Sequence, residues 1–296
     1  MFQDFSRLRG RTVAFVGNGK NAGKTTALCA LLRAIDADGT LTPALTSIGR
    51  DGEKTDLVTG TEKPTVFVRE GTLCATTTGL MRQCDFTKEI LRSTGFDTPL
   101  GEVLLLRARS GGYVQPAGPS VVRQAAEVNR ALLSLGADCV LMDGAASRRS
   151  QGAASAADYA VLCVGACYDA DWERTVEHGA YLAELMELPI ENEDGCEALP
   201  GAVTDNTARK LLERGRELEG KTLLADDPAA LLLGPESYRR LCRAGARFAV
   251  RRRSELLYVT TNPFSARGCG YDAEQFRAAM QQRVRVPVYD VMGERR

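Results

Sequence analysis

Residues 13–35 read VAFVGNGKNAGKTTALCALLRAI, and few folds accommodate that order of residue types. The run from Thr12 to Val16 is apolar and β-branched, as fully buried parallel strands are. After a glycine-rich turn, Ala27, Leu28, Leu31, Leu32 and Ile35 recur at helical spacing. LTPALTSIG then reads as a second strand. Strand, turn, amphipathic helix and strand make a βαβ unit, the setting that a phosphate-binding turn requires.

In the common GxxxxGK[ST] turn, glycines let backbone N–H groups point at the phosphates. The lysine reaches the β- and γ-phosphates and the hydroxyl binds Mg2+. Gly23, Lys24 and Thr25 supply the second half of that pattern, and the following helix offers its positive end to an anion. Asn18 stands at the first glycine position, between Gly17 and Gly19. Asparagine is one of the few non-glycine residues that enter left-handed backbone geometry, so the turn is expected to close around it. Gly19, Lys20, Asn21, Ala22, Gly23, Lys24, Thr25 and Thr26 are the expected nucleotide contacts. Lys24, at the helix start, is expected to face solvent. The alternative is a chance GKT at a helix start, and the strand before it argues against that.

A phosphate site of this kind needs a carboxylate at the end of another strand to hold Mg2+. CVLMDG supplies one: four apolar residues lead into Asp143. Thr25 and Asp143 are the expected Mg2+ ligands, and Lys24, Asp143 and Asp51 the expected catalytic set. Asp51, in SIGRDGEKTD, either positions water or Mg2+ or simply forms an Asp-Gly turn. No NKxD guanine signature occurs, so ATP is expected over GTP. AVTDN and VTTNP both end strands with polar residues that could face a base.

Lysine plus arginine and aspartate plus glutamate balance at 38 each, which removes the bulk electrostatic case for nucleic acid or an anionic membrane. Arg251-Arg252-Arg253 is the densest basic run and is expected to be a solvated strand edge. The nine cysteines form no CxxC pair, and Cys163 and Cys167 are four apart. With a single histidine, His178, they read as buried reduced thiols and not as a zinc site. His178 itself is expected to be an ordinary helix-face residue, and no DxHxxG cobalamin segment occurs. The N-terminal MFQDFSRLRGRT has no apolar signal core, and no apolar run approaches a membrane span. The chain is therefore expected to be soluble and cytoplasmic.

Strand patterns alternate with helical ones along the rest of the chain, which indicates a parallel α/β sheet. The expected fold is α/β of the P-loop NTPase class, a mainly parallel sheet flanked by helices with a C-terminal α/β extension. Residues 1–220 form the nucleotide-binding domain, with an insertion at 50–119, and 221–296 form the extension. GEVLLLRARSGGYVQPAG is expected to be strand, or a hairpin turning at Ser110-Gly111-Gly112. ENEDGCEALPG reads as a polar connection.

Taken together, GNGKNAGKTT, LTSIGRDGEKTDLVTGTEKPTVFVREGTLCAT, TPLGEVLLLRARSGGYVQPAGP, VLMDGAASR and VTTNPFSARGCGYD resemble a family of P-loop proteins from amino-acid-fermenting anaerobes. Its members are encoded beside lysine 5,6-aminomutase and ornithine 4,5-aminomutase. They are regarded as the small subunit of a reactivase that works with a MutS-like ATPase subunit. The family's loop typically reads KNAGKT, as at Lys20 to Thr25. The resemblance implies a chain that uses ATP and Mg2+ to open an adenosylcobalamin- and pyridoxal-phosphate-dependent aminomutase and release damaged cobalamin. The segment with Arg50, Asp51, Glu53 and Lys54 would then hold the switch. Two other classes stay open. One is a P-loop ligase or small-molecule kinase similar to dethiobiotin synthetase. The other is a GTP-binding cofactor-insertion protein similar to the molybdopterin-guanine dinucleotide adaptors.

Overall fold

The computed structural model describes residues 4–48, 65–145, 157–199, 201–265 and 270–293. The first strand, β1 (Arg11–Gly17), is followed by α1 (Lys24–Asp38) and β2 (Pro43–Ser47), so the βαβ unit forms where its periodicity places it. Next come β3 (Val66–Val68), β4 (Leu73–Thr77), the short α2 (Thr78–Met81), β5 (Lys88–Thr98), β6 (Gly101–Ala108) and β7 (Gly112–Val114). The helix α3 (Val122–Ser134) leads to β8 (Cys139–Ala145) and β9 (Tyr159–Gly165), and α4 (Trp172–Met186) follows. The last third holds β10 (Cys196–Ala198), α5 (Asp205–Leu212), β11 (Thr222–Ala225), α6 (Pro235–Arg243), β12 (Arg247–Val250), β13 (Glu255–Asn262), α7 (Ala273–Arg283) and β14 (Val288–Asp290).

Nine strands form the central sheet in the order β14-β13-β9-β1-β8-β2-β4-β6-β5. From β14 to β4 every neighbouring pair is parallel, and β6 and β5 add to the β4 edge antiparallel. The chain is thus a mixed α/β protein with a large, mostly parallel sheet flanked by helices. Alternate residues of β1 serve the two faces, as the two-residue period of a strand demands. Val13 and Phe15 pack in the core that contains Leu28, Leu31 and Ile35 of α1. Ala14 and Val16 pack in the opposite core with Val176 and Ala183 of α4 and Phe276 of α7.

The hairpin expected at Ser110-Gly111-Gly112 does not form. The strand β6 pairs with β4 and β5, while β7 pairs antiparallel with β3 in a separate two-stranded ribbon. The polar connection ENEDGCEALPG contains β10, which joins β11 and β12 in a small parallel sheet. The residues after Lys221 are shared between two sheets: β11 and β12 lie in the small one, β13 and β14 in the central one. The arginine run follows β12, an edge strand of the small sheet, and Arg252 is exposed there as a solvated edge should be. Arg251 bridges Glu193 (2.6 Å) and Asp226 (2.8 Å), and the Arg253 Nε donates to the Leu188 carbonyl (2.9 Å). No helix among the described residues is long and apolar enough to cross a membrane. Of the described cysteines, Cys74, Cys84, Cys139 and Cys163 are buried and unpaired, and Cys242 is exposed.

Candidate phosphate-binding site

The turn between β1 and α1 lies at the C-terminal ends of parallel strands, where open α/β sheets place their ligand crevices. It is built by close approach. A side chain at Gly17 would put its Cβ 3.0 Å from the Ala22 Cβ and 3.1 Å from the Cys163 carbonyl oxygen. The Asn18 amide donates to that same carbonyl (3.1 Å), and its side chain closes a two-way bridge to Gly165. There the Asn18 Nδ2 donates to the Gly165 carbonyl (3.1 Å), and the Gly165 amide donates to the Asn18 Oδ1 (3.0 Å). Asn18 therefore fastens the turn to the end of β9 and does not supply the left-handed residue. Among the described residues the one non-glycine with positive φ is Asn21, at 64°.

The exit from the turn is held by β13. The Asn262 side chain, only 7% exposed, donates from Nδ2 to the Asn21 carbonyl (3.1 Å), and its Oδ1 accepts from the Phe264 amide (3.1 Å). A Cβ at Gly23 would come within 3.2 Å of the Asn262 Cβ, and Gly23 itself has a left-handed φ of 94°. Gly23 is the N-cap of α1 and offers no side-chain acceptor to the first turn. The leading N–H groups of the helix are left to a ligand or solvent.

Lys24 departs from expectation: it is 8% exposed, and its Nζ donates to the Gly19 carbonyl at 2.7 Å. Its stem folds back under the turn, and the Cδ lies 3.3 Å from where a Gly17 Cβ would stand. Half-buried Thr25 donates from Oγ1 to the Asp143 Oδ2 at 2.9 Å, while the Asp143 Oδ1 accepts the Gly144 amide at 2.8 Å. This contact exists because β8 is the direct parallel neighbour of β1. The structure thus brings Gly19, Lys20, Asn21, Ala22, Gly23, Lys24, Thr25 and Thr26 into one loop and helix start, with Asp143 against Thr25. Asp51, with Arg50, Glu53 and Lys54, lies outside the described residues.

Beneath the turn, burial pushes the Cys163 thiol up to about 12, with the nearby Lys24 charge acting the other way. That thiol stays protonated at neutral pH and is no nucleophile. His178 sits on α4 with its ring stacked on Tyr168 at 4.0 Å. A cavity of about 340 Å³ opens beside the turn, between Gly17–Gly19, α4 and the connection from α5 to α6.

Sequence reasoning missed the Asn18–Gly165 bridge and directed Asn262 at a base, whereas its amide holds the turn's backbone. Gly165 offers a direct check. A Cβ there would lie 2.7 Å from the Ala22 Cα, so Gly165→Ala must push the loop outward. The expected cost is about 1–3 kcal/mol of stability, measured by urea denaturation. A variant with unchanged midpoint would show that the loop yields freely.

Comparison of the chain with protein-family models returns no match, and comparison with curated proteins returns none.

Proposed function

We propose that the turn from Gly17 to Thr25 binds ATP with Mg2+ and that the chain is a slow, partner-dependent ATPase. One observation carries this reading: Lys24 aims its ammonium at the turn's own backbone while Thr25 and Asp143 meet at the ends of adjacent parallel strands. The Lys24 Nζ would exchange the Gly19 carbonyl for phosphate oxygens, and the amides of residues 19–26 would supply the remaining donors. The Thr25 hydroxyl and Asp143 carboxylate are hard oxygen donors of the type Mg2+ prefers. Bound there, Mg2+ would neutralise charge on the phosphates. Asp51 is proposed to position the attacking water.

On the strength of the family resemblance, we assign the partner as an adenosylcobalamin- and pyridoxal-phosphate-dependent aminomutase, acting with a MutS-like ATPase subunit. The chain would be the ATP-binding subunit of its reactivase. A switch needs nucleotide states that differ in affinity for the partner, so hydrolysis by the chain alone should be slow. The test is mutase recovery. Aminomutase inactivated by turnover is given ATP, Mg2+, fresh adenosylcobalamin and the companion subunit, with and without this chain. Activity is expected to return only with the chain present; equal recovery without it removes the reactivase.

The second reading is a ligase or small-molecule kinase similar to dethiobiotin synthetase, and the cavity beside Gly17–Gly19 favours it. ATP consumption that depends on a small acid or amine and needs no protein would select it.

A further inference from the structure

Two exposed aromatic side chains flank the phosphate turn, one towards each end of it. Tyr168, after β9, lines the cavity next to Gly19 at the turn's start. Phe264, after β13, is 56% exposed and is joined to the turn's exit through one side chain. The Asn262 Oδ1 accepts the Phe264 amide, and its Nδ2 donates to the Asn21 carbonyl, each at 3.1 Å. Phe264 is also the first side chain past β13 that meets solvent, because Thr260, Thr261, Asn262 and Pro263 are all buried. Both polar atoms of the Asn262 side chain are thus engaged by backbone, and the neighbouring hydroxyls face inward. A flat group arriving at the end of β13 meets the Phe264 ring. The backbone beneath that ring is fixed. The Pro263 carbonyl accepts the Tyr271 amide at 2.9 Å, and Phe264 pairs with Gly270 in an isolated antiparallel bridge.

We propose that Phe264 is the platform on which the base of the bound nucleotide stacks, held at the turn's exit by Asn262. The proposal rests on the nucleotide reading and adds to it the residue that grips the nucleoside half. Lys24 decides between the two aromatics. In a turn of this kind the lysine ammonium serves the β- and γ-phosphates. The Lys24 Nζ lies against the Gly19 carbonyl, so the terminal phosphate belongs at the start of the turn, on the side of Tyr168. The nucleoside then leaves on the other side, past Asn21 and Gly23, where Phe264 stands. Stacking on an aromatic ring tolerates any base, because every base has a π-face. Phe264 therefore supplies affinity for the nucleoside and does not discriminate ATP from GTP.

The test compares two ligands by calorimetry on the full chain with Mg2+: a non-hydrolysable ATP analogue, and inorganic tripolyphosphate, which has no base. Phe264→Ala is expected to weaken the analogue at least about fivefold while tripolyphosphate stays within about twofold. Tyr168→Ala, towards the other end of the turn, should move neither ligand by more than about twofold. Phe264→Trp should keep the analogue's affinity near that of the wild type. Its added emission, taken against the wild-type background of Trp172, should be quenched by the analogue and not by tripolyphosphate. Circular dichroism confirms that these exposed positions leave the fold intact. Unchanged analogue affinity in Phe264→Ala, equal losses for the two ligands, or a loss confined to Tyr168→Ala would overturn the platform. Where tripolyphosphate binds too weakly to titrate, the emission of Phe264→Trp decides, and emission unmoved by the analogue overturns the platform. The two failures are distinct. Wild-type chain that binds neither ligand removes the nucleotide reading, and the platform with it. Wild-type chain that binds the analogue, with Phe264→Ala binding it equally well, removes the platform alone.

Discussion

Lys24→Ala is expected to weaken ATP binding by about 3 kcal/mol, roughly a hundredfold, because the proposed charge-assisted contact to phosphate would be lost from a partly desolvated site. The buried position of Lys24 adds a second effect. The variant loses the bond to the Gly19 carbonyl and the stem beneath Gly17, which should cost about 1–2 kcal/mol of stability. Lys24→Met separates the two. It keeps most of the stem's volume, so the melting temperature should recover most of its loss while ATP affinity stays low. Calorimetry and thermal melting read the pair. Full ATP affinity in Lys24→Met would show that the ammonium serves the fold and not a phosphate.

Asp143→Asn should leave the fold nearly unchanged and act on turnover. The amide retains an acceptor for the Gly144 N–H or the Thr25 hydroxyl but loses the charge that would hold Mg2+. Electrostatic support matters most as charge develops on the transferring group, so Mg2+-dependent hydrolysis should fall about a hundredfold or more. Binding of ATP without Mg2+ should stay within about threefold, or tighten, because a negative charge has left the site. Equal losses in turnover and Mg2+-free binding would make Asp143 a structural residue.

The turn and its flanking elements could be read from the chain because their logic is local. Thr12–Val16 is a continuous buried run, and the helical spacing of Leu28, Leu31 and Ile35 begins directly after Gly23-Lys24-Thr25. Asp143 was legible for the same reason, at the end of four apolar residues. What stayed hidden was set by distant contacts. Asn18 owes its role to Gly165, 147 residues on, and Lys24 is buried because its stem returns beneath Gly17. The edge strand β5 carries Lys88, Glu89, Arg92 and Asp97, charges that protect an edge but disguise a strand. With that edge disguised, the two glycines leave a hairpin open that β6 does not form. β11 and β12 are four residues each, too short for periodicity to separate strand from loop. Their place is fixed by a small core that includes Leu223, Phe248 and Tyr238.

The most direct measurement is a crystal structure of the chain with Mg2+ and a non-hydrolysable ATP analogue. The β- and γ-phosphates should lie within about 3 Å of the Lys24 Nζ, with Mg2+ between the Thr25 hydroxyl and the Asp143 carboxylate. Nucleotide bound elsewhere, or a Lys24 still donating to the Gly19 carbonyl with the phosphates turned away, would contradict the account.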